Sequence, residues 1–271
     1  MVGISLYSII PVRAQAGEAA EQTTQVLFGE TFDILEQQPK WHRVRLHLDG
    51  QEGWMDAKMC TPMQPDEAKT YREAYEASTA MVVMPMAYAM SENNGQTLPL
   101  TAGTRLVKYE VTKDEVQGTF MGRFEVLGVG FRIDPSMLIT APLPLDEPHL
   151  LQAVRFFLNI PYLWGGKNAM GMDCSGFTQV VMSLFGRKLL RNASEQVTQG
   201  NAIEDLKHVQ AGDLVFFDHE DGKISHVGIA IDSGRLIHCS GRVKVEKLDK
   251  TGIFNAETGA YSHHLAAVRR V

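Results

Sequence analysis

A chain of 271 residues is too long for one small domain and predicts two or three folding units. Its 44% hydrophobic and 21% charged residues are ordinary for a globular protein and argue against global disorder. The formal net charge of −6 argues against nucleic acid as the main partner, and no run approaches the roughly 18 apolar residues of a membrane span.

The first 13 residues are mildly apolar but lack the basic start of a signal peptide, and serines interrupt their apolar stretch. They predict a first strand over residues 4–9 rather than a leader. We therefore expect a cytoplasmic protein, or a periplasmic or secreted one whose leader has been removed from this chain.

Short strands separated by turns are predicted for residues 25–28, 31–35, 41–46 and 53–55, with a turn at Asp49-Gly50. Closely spaced short strands are typical of a small β-barrel, here over residues 1–64. This stretch resembles a bacterial SH3-like domain of the type fused to cell-wall peptidases. The resemblance depends on Pro-Val-Arg at 11–13, Glu21…Thr24-Gln25, Phe28-Gly29-Glu30, Trp41 and Gly53-Trp54.

A polar linker around residues 66–71 favours a helix, and strand-like segments return at 80–84, 104–109, 122–127 and 130–133. Asn93-Asn94-Gly95 marks an exposed turn among them. We expect residues 65–145 to form this helical linker and a second SH3-like domain. Three prolines between 142 and 148 cannot continue a helix or a strand ladder, so the third domain is predicted for residues 146–271.

The third domain begins with a predicted helix over residues 149–158, which Pro161 ends. Asp173 is a good N-cap for a second helix, whose apolar stripe includes Phe177 and Val181. Cys174 then lies in the first turn, where the helix dipole and free N–H groups favour a thiolate. A short helix capped by Ser194 follows. Strands are predicted at 213–217, 226–231, 236–240, 243–246 and 265–271, which gives an α+β fold class.

Three cysteines, Cys60, Cys174 and Cys239, give an odd count without a CxxC pair, so a disulfide framework is not expected. Cys174 is the candidate nucleophile. Cys239 is expected to be buried and inert, because it follows a candidate site histidine on a strand and faces the other side. Cys60, at the end of the first predicted barrel, is expected to be buried and inert as well.

A thiol nucleophile needs an imidazole to take its proton, and that imidazole needs a partner to fix its tautomer. His226 and His238 each lie in an apolar strand, and the turn at 232–235 between them predicts a hairpin with the two rings side by side. Either histidine alone is more often a core residue than a catalyst. The remaining histidines are expected at the surface, with the last two in an exposed turn: His42, His47, His149, His208, His219, His263 and His264.

The ordered set of motifs in residues 146–271 resembles the NlpC family of cell-wall cysteine peptidases. The motifs are Pro161-Tyr162-x-Trp164-Gly165-Gly166, Asp173-Cys174-Ser175-Gly176-Phe177, Gly212-Asp213-Leu214, Ser225-His226-Val227-Gly228-Ile229 and Ile237-His238. The resemblance implies a papain-like domain that cleaves peptidoglycan peptides. Cys174 would attack the carbonyl, His226 would act as base and acid, and His238 would orient His226. The oxyanion would meet the backbone N–H of Cys174, with Tyr162 either as a second donor or as a packing aromatic.

The two barrels and the Glu21…Thr24-Gln25 pattern resemble γ-D-glutamyl-L-diamino acid endopeptidases, which recycle murein peptides. The resemblance implies a substrate with a free N-terminal L-Ala, whose ammonium would meet Glu21 and Asp173. Ser175 and Ser194 would contact the L-Ala-γ-D-Glu unit, and Trp164 would wall the pocket. Structural alternatives remain, namely Asp173 and Ser194 as helix caps, Trp164 as a core residue and Glu21 as a solvated side chain. One departure is Gln51, where relatives commonly carry a tyrosine.

We expect a monomer that acts on a murein tripeptide or tetrapeptide and needs no metal or other cofactor. A zinc site built from Cys174, His226 and His238 would lack a fourth ligand. Alternatives are a hydrolase that acts on intact wall peptides, a non-catalytic wall-binding module, and an amidase or acyltransferase on the same fold.

Overall fold

The computed structural model describes residues 1–113, 118–218 and 222–271, so His219 lies outside the described residues. The chain divides into two compact units, Met1–Pro142 and Leu143–Val271. The division of the first unit into domains at residues 64 and 65 stays a prediction. No helix in the described ranges has the length and hydrophobicity needed to cross a membrane.

The first unit begins with an antiparallel sheet of strand order β3-β2-β6-β5-β4-β1-β7. Its strands are β1 Val2–Ile4, β2 Ile9–Arg13, β3 Gln22–Leu27, β4 Thr31–Gln37, β5 Trp41–Leu46, β6 Glu52–Asp56 and β7 Thr61–Pro62. Alternate residues such as Val12, Phe32 and Val44 are fully buried and form the core that this sheet encloses.

The strand predicted over residues 4–9 is wrong, because residues 5–8 form a bend between β1 and β2. The Ser5 hydroxyl donates a hydrogen bond to the Tyr7 carbonyl, and the Ser5 backbone pairs with Gly29 and Glu30 instead of continuing β1. Serine side chains compete for backbone groups in this way, so the apolar alternation around them predicts too long a strand.

Helix α1, Pro65–Ala77, begins with proline in its first turn and carries Asp66 and Glu67 there, where the helix dipole favours carboxylates. This helix confirms the prediction around residues 66–71 and extends it. The buried Tyr71 hydroxyl donates to the Gly29 carbonyl at 3.1 Å and so ties α1 to the first sheet.

The rest of the first unit is a second antiparallel sheet of order β10-β9-β13-β12-β11 and a strand pair β14-β8. The strands are β8 Met81–Val82, β9 Met86–Ser91, β10 Thr97–Thr101, β11 Glu110–Lys113, β12 Phe120–Val126, β13 Val129–Ile133 and β14 Leu138–Ile139. Phe28, in the turn after β3, packs edge-on against Phe124 and Phe131 of the second sheet, with ring centroids 6.3 and 5.7 Å away. Both sheets and α1 therefore share one core.

Two sequence predictions for this sheet are wrong. Residues 104–109 contain an isolated bridge and a turn, with Lys108 at a positive φ of 54°, rather than a strand. Strands β9 and β10 were not predicted. The outward side chains of β9, Met86, Tyr88 and Met90, are as apolar as the buried alanines between them, which hides the strand alternation.

The second unit places three helices before most of its strands: α2 Glu147–Val154, α3 Cys174–Leu184 and α4 Ala193–Gln196. Its strands are β15 Lys167–Asn168, β16 Gly171–Met172, β17 Asn201–Ala202, β18 Leu214–Asp218, β19 Ile224–Asp232, β20 Arg235–Ser240, β21 Arg242–Leu248, β22 Gly252–Asn255 and β23 Ala260–Arg270. The main sheet has the order β17-β23-β18-β19-β20-β21-β22, and β22 also pairs with β23, which closes the strands into a barrel.

The predicted α+β class fits loosely, because strands make up most of the regular structure. Helix α2 ends at Val154 rather than residue 158. Asn192, not Ser194, caps α4 in a capping box with Glu195, so Ser194 lies inside the helix.

Candidate active site

The position of Cys174 is fixed by the Asp173 carboxylate at the start of α3. As predicted for an N-cap, Asp173 accepts from the Gly176 N–H at 2.6 Å, and its second oxygen accepts from the Gly165 N–H at 2.8 Å. A Cβ on Gly176 would clash with the Gly166 carbonyl, so glycine is required where the helix meets this loop. One carboxylate thus joins the helix start to the preceding Gly-rich loop.

A buried arginine neutralises the Asp173 carboxylate. Arg191 donates to its two oxygens at 3.0 and 2.6 Å and to the Ser175 hydroxyl at 2.9 Å. The Arg191 side chain is 1% exposed and the Asp173 side chain 8% exposed. With a further contact of 3.3 Å from the Ser175 hydroxyl, Asp173 accepts from five donors.

The Cys174 thiol is buried in the first turn of α3, at 6% exposure. Burial, and after it the negative charge of Asp173, raises its pKa to about 11. Hydrogen bonds from the backbone N–H groups of Val227 and Ser175 lower the pKa, but by less. The donor at the helix start thus favours the thiolate as expected, but desolvation outweighs it and the net pKa is raised. The Val227 contact puts the sulfur against β19, at the residue that follows His226.

Strands β19 and β20 bring His226 and His238 together, with His238 opposite Gly228 in the register of the hairpin. His226 Nε2 lies 2.8 Å from His238 Nδ1, and the ring planes are nearly perpendicular at 83°. Both rings are buried, at 6% and 0% exposure. This geometry suits an imidazole base held by a second imidazole.

Behind His238 lies a carboxylate that the sequence reasoning missed. Glu246 Oε2 is 2.7 Å from His238 Nε2, and Glu246 Oε1 is 3.1 Å from the Lys244 ammonium. Strand β21 pairs with β20 so that Lys244 lies opposite His238 and Glu246 follows two residues later on the same face. The signal was the tight turn after Ser240, which aligns the alternate residues 242, 244 and 246 with the histidine strand.

His263 and His264 lie within β23, so their prediction as an exposed turn is wrong. The His263 ring stacks on His226, with centroids 4.2 Å apart and planes at 29°, whereas His264 is exposed. Strand β23 begins at Ala260, five residues before its predicted start at 265, because its first half pairs with β22, a strand that the sequence did not predict. The stacked ring limits the movement of His226.

The other predicted site residues fall into exposed and buried sets. Trp164 is 59% exposed, so the alternative of a core tryptophan is wrong, and Ser194 is exposed on α4. Ser175 is buried with Asp173 and Arg191. Glu21 is exposed and belongs to the first unit, immediately before β3.

Tyr162 lies directly before the Gly-rich loop that contains Gly165 and Gly166, and it is half-buried. Its backbone N–H donates to the Gly241 carbonyl at 2.9 Å, and its strand bridge to Met172 holds it beside the helix start. Burial raises the pKa of its phenol, and negative charge on Cys174 or Asp173 raises it further. The hydroxyl therefore stays protonated and can donate a hydrogen bond.

All three cysteines are free thiols. Cys239 is buried as predicted, its thiol donates to the Met172 carbonyl at 3.1 Å, and burial raises its pKa to about 12. Cys60 is half-buried rather than buried, and it lies between β6 and β7 at the end of a short 3-10 helix, Ala57–Met59. Among the described residues, no group of three or more histidine, cysteine, aspartate or glutamate side chains is arranged to hold a metal ion.

Comparison with known families and relatives gives consistent matches to both units. The NlpC/P60 family model matches residues 159–262, and the bacterial dipeptidyl-peptidase Sh3 domain model matches residues 12–58. The chain is 30% identical over 259 residues to the γ-D-glutamyl-L-lysine dipeptidyl-peptidase of Bacillus subtilis (strain 168), covering 91% of this chain and 80% of the relative. The enzyme of the same name from Bacillus cereus (strain ATCC 10987 / NRS 248) is 28% identical, with 88% and 74% covered.

A solved structure shares the fold. The crystal structure of an NlpC/P60 family protein from Bacillus cereus ATCC 10987 aligns with a TM-score of 0.82 at 21% identity, covering 100% of this chain and 99% of that one. The second unit thus has the papain-like NlpC/P60 fold, and the first unit contains an SH3 domain.

The buried ion pair makes a stability prediction. Replacing Arg191 with methionine leaves the Asp173 carboxylate buried without its counter-charge, a change that costs about 3–5 kcal/mol of unfolding free energy. The matched control Arg187→Met removes an exposed arginine and should stay within about 0.5 kcal/mol of the original protein. Urea unfolding followed by circular dichroism measures both. Equal midpoints for the two variants would contradict the assignment.

The raised thiol pKa predicts how Cys174 reacts with iodoacetamide. A thiol of pKa about 11 is ionised in roughly one molecule in ten thousand at pH 7, because each unit changes the ratio tenfold, so its reaction depends on a base that takes the proton. His226→Ala should therefore lower the alkylation rate at pH 7 at least about a hundredfold and restore it only as the pH nears 11. The exposed His264→Ala is the control. If both variants follow the pH profile of the original protein, the reactivity of the Cys174 thiol does not depend on His226.

Proposed function

The chain belongs to the NlpC/P60 family, and we propose that it is a cysteine endopeptidase that cuts peptidoglycan peptides between γ-D-Glu and the following L-diamino acid. The observation that carries the proposal is the buried 2.8 Å hydrogen bond between His226 and His238, together with the hydrogen bond to the Cys174 sulfur from the backbone of Val227, the residue after His226. The names of the two Bacillus relatives, γ-D-glutamyl-L-lysine dipeptidyl-peptidase, support the choice of bond. The class of hydrolase, a peptidase of the NlpC/P60 type, follows from the family.

The proposed chemistry starts from a protonated thiol. Cys174 passes its proton to His226 as the sulfur attacks the carbonyl carbon of γ-D-Glu, so a C–S bond forms and the carbonyl oxygen becomes an oxyanion. The imidazolium then gives this proton to the leaving amine as the C–N bond breaks. Water, deprotonated by His226, cleaves the resulting thioester and returns the proton to the sulfur.

The oxyanion is stabilised at the start of α3. The first N–H groups of a helix have no partner within the helix, and that of Cys174 adjoins the reacting sulfur. The Tyr162 hydroxyl is the second donor in this proposal. It keeps its proton because burial and the neighbouring negative groups raise its pKa.

We assign recognition of the substrate's free N-terminal amine to Glu21. The alternative partner, Asp173, already accepts from five donors, including the bidentate Arg191. A sixth donor would compete with a buried ion pair, whereas the Glu21 side chain is exposed. Within the second unit, Trp164 and Ser194 are the exposed residues proposed to contact the L-Ala-γ-D-Glu portion. A requirement for a free amine suits recycling of released murein peptides, since peptides in the intact wall have no such terminus.

We further propose that residues 65–145 contain a second SH3-like domain. The small antiparallel sheet β10-β9-β13-β12-β11 and the strand pair β14-β8 support this proposal. The alternative function, a hydrolase of intact wall peptides, uses the same catalytic residues. It differs only in accepting substrates that lack a free N-terminal amine.

The cleavage proposal predicts products. The protein should convert L-Ala-γ-D-Glu-meso-diaminopimelate, or its L-Lys counterpart, into L-Ala-D-Glu and the free diamino acid, measured by liquid chromatography and mass spectrometry. Cys174→Ala should reduce the rate at least about ten-thousandfold, because the nucleophile is lost. Cys239→Ala removes a buried thiol outside the proposed chemistry and is the matched control. Undiminished release by Cys174→Ala would falsify the mechanism.

The amine assignment predicts a separate specificity effect. N-acetylation of the tripeptide should abolish cleavage, and Glu21→Gln should lower kcat/KM for the free peptide about ten- to a hundredfold, the loss of one charge-assisted hydrogen bond. Glu18→Gln, at an exposed glutamate in the same loop, is the control. Equal cleavage of acetylated peptide or intact sacculus would instead favour the wall hydrolase.

A further inference from the structure

We propose that Glu246 is a positioning residue that sets, through His238, which ring nitrogen of His226 carries the proton. The inference rests on the proposed role of His226 as the base of a cysteine peptidase. It goes beyond the predicted Cys-His-His set, since it adds the carboxylate of Glu246, which sets the direction of the hydrogen bond between His226 and His238.

Glu246 is built into the site rather than placed at its surface. Its side chain is 9% exposed and receives two hydrogen bonds, from the fully buried His238 at 2.7 Å and from Lys244 at 3.1 Å. These two donors lower the pKa of Glu246 although burial opposes them, so the carboxylate is ionised at neutral pH. An ionised carboxylate only accepts hydrogen bonds.

The tautomers follow from that constraint, one ring at a time. Because Glu246 only accepts, His238 must carry a proton on Nε2. Burial lowers the pKa of His238, so the ring is neutral and its Nδ1 has a lone pair. That lone pair faces His226 Nε2 at 2.8 Å, so His226 must donate from Nε2. A neutral His226 then has its lone pair on Nδ1, free of the proton that would prevent it from acting as a base.

Without the carboxylate, two imidazoles alone do not fix this direction. A pair of neutral imidazoles can share one hydrogen bond in either sense, and the reverse sense puts the His226 proton on Nδ1. The reversed pair still fills the same space and makes the same 2.8 Å contact. Glu246 is therefore needed for the proton's position rather than for packing.

Lys244 gives the inference a sharp test, because it controls how an amide would lie at position 246. In Glu246→Gln, the ammonium of Lys244 attracts the amide oxygen, which turns the NH₂ group toward His238 Nε2. His238 must then accept on Nε2 and donate from Nδ1, which reverses the direction of the whole chain. In the double variant Lys244→Met/Glu246→Gln, the amide is free to present its oxygen to His238 and restore the original direction.

The experiment uses the full chain and needs no peptide substrate. Nitrogen-15 spectra of histidine-labelled protein, recorded above the ordinary histidine pKa of about 6.5, report which His226 nitrogen is protonated. Signals are assigned by replacing one histidine at a time. The rate of Cys174 alkylation by iodoacetamide, followed by peptide mass spectrometry, reports whether His226 still works as a base. Glu257→Gln, at an exposed glutamate that pairs with Arg242, is the matched control.

We expect His226 to be protonated on Nε2 in the original protein and in Glu257→Gln, and on Nδ1 in Glu246→Gln. Alkylation in Glu246→Gln should fall about ten- to a hundredfold, the usual effect of removing an outer partner from an oriented imidazole. The double variant should recover most of that loss and the original tautomer. The inference is overturned if Glu246→Gln keeps the original tautomer and rate, or if the double variant stays as slow as the single one.

These outcomes separate this inference from the proposed function. A protein that shows the tautomer reversal and its rescue but cleaves none of the peptides has lost only the proposed substrate. A protein that cleaves the tripeptide while Glu246→Gln changes neither readout keeps its function and loses only the role of Glu246.

Discussion

The second unit depends on one buried ion pair, between Asp173 and Arg191. Removing both charges from water is costly, and a buried pair is tolerated only when hydrogen bonds satisfy the remaining polar atoms. Here the Gly165 and Gly176 N–H groups and the Ser175 hydroxyl supply those bonds. The hydrogen bonds that offset the desolvation cost therefore also hold the start of α3, the Gly-rich loop and the residue after Cys174 in one arrangement. A nucleophile on this helix inherits that rigidity.

The same burial that fixes Cys174 makes it a poor nucleophile on its own, since desolvation raises its pKa to about 11. In the proposed mechanism, His226 on the hairpin of β19 and β20 compensates by taking the thiol proton. A line of polar groups runs from the buried His226 and His238 to Glu246 and the half-buried Lys244. The carboxylate and the ammonium thus lie at the end nearest the surface, where desolvation costs least, and the two rings occupy the interior.

Local sequence signals predicted the parts of this site that local structure determines. Asp173 followed by an apolar stripe defined the start of α3, and an apolar strand on each side of a short turn defined the hairpin of His226 and His238. Of the two missed residues, His263 depends on long-range pairing. His263 reaches His226 only because β23 pairs with β18, which in turn pairs with β19, and no local pattern encodes that neighbourhood. Glu246 alternates with Lys244 as on any solvated strand face. The helix start, which favours the thiolate, is visible in sequence, whereas the larger effect of burial by the whole fold is not.

The residues that the sequence grouped as substrate-binding separate by burial, and the separation has a physical meaning. Asp173 and Ser175 are buried and hydrogen-bonded to Arg191, so a ligand that used their side chains would have to break contacts that hold the nucleophile. Trp164 and Ser194 are exposed, and a ligand can cover them without disturbing the fold. Ser194 gains its exposure because Asn192 makes the helix cap and the fully buried Gln196 ties α4 to α3 through the Ser175 carbonyl at 3.1 Å. Only two residues apart on α4, Gln196 fixes the helix whereas Ser194 is exposed to solvent.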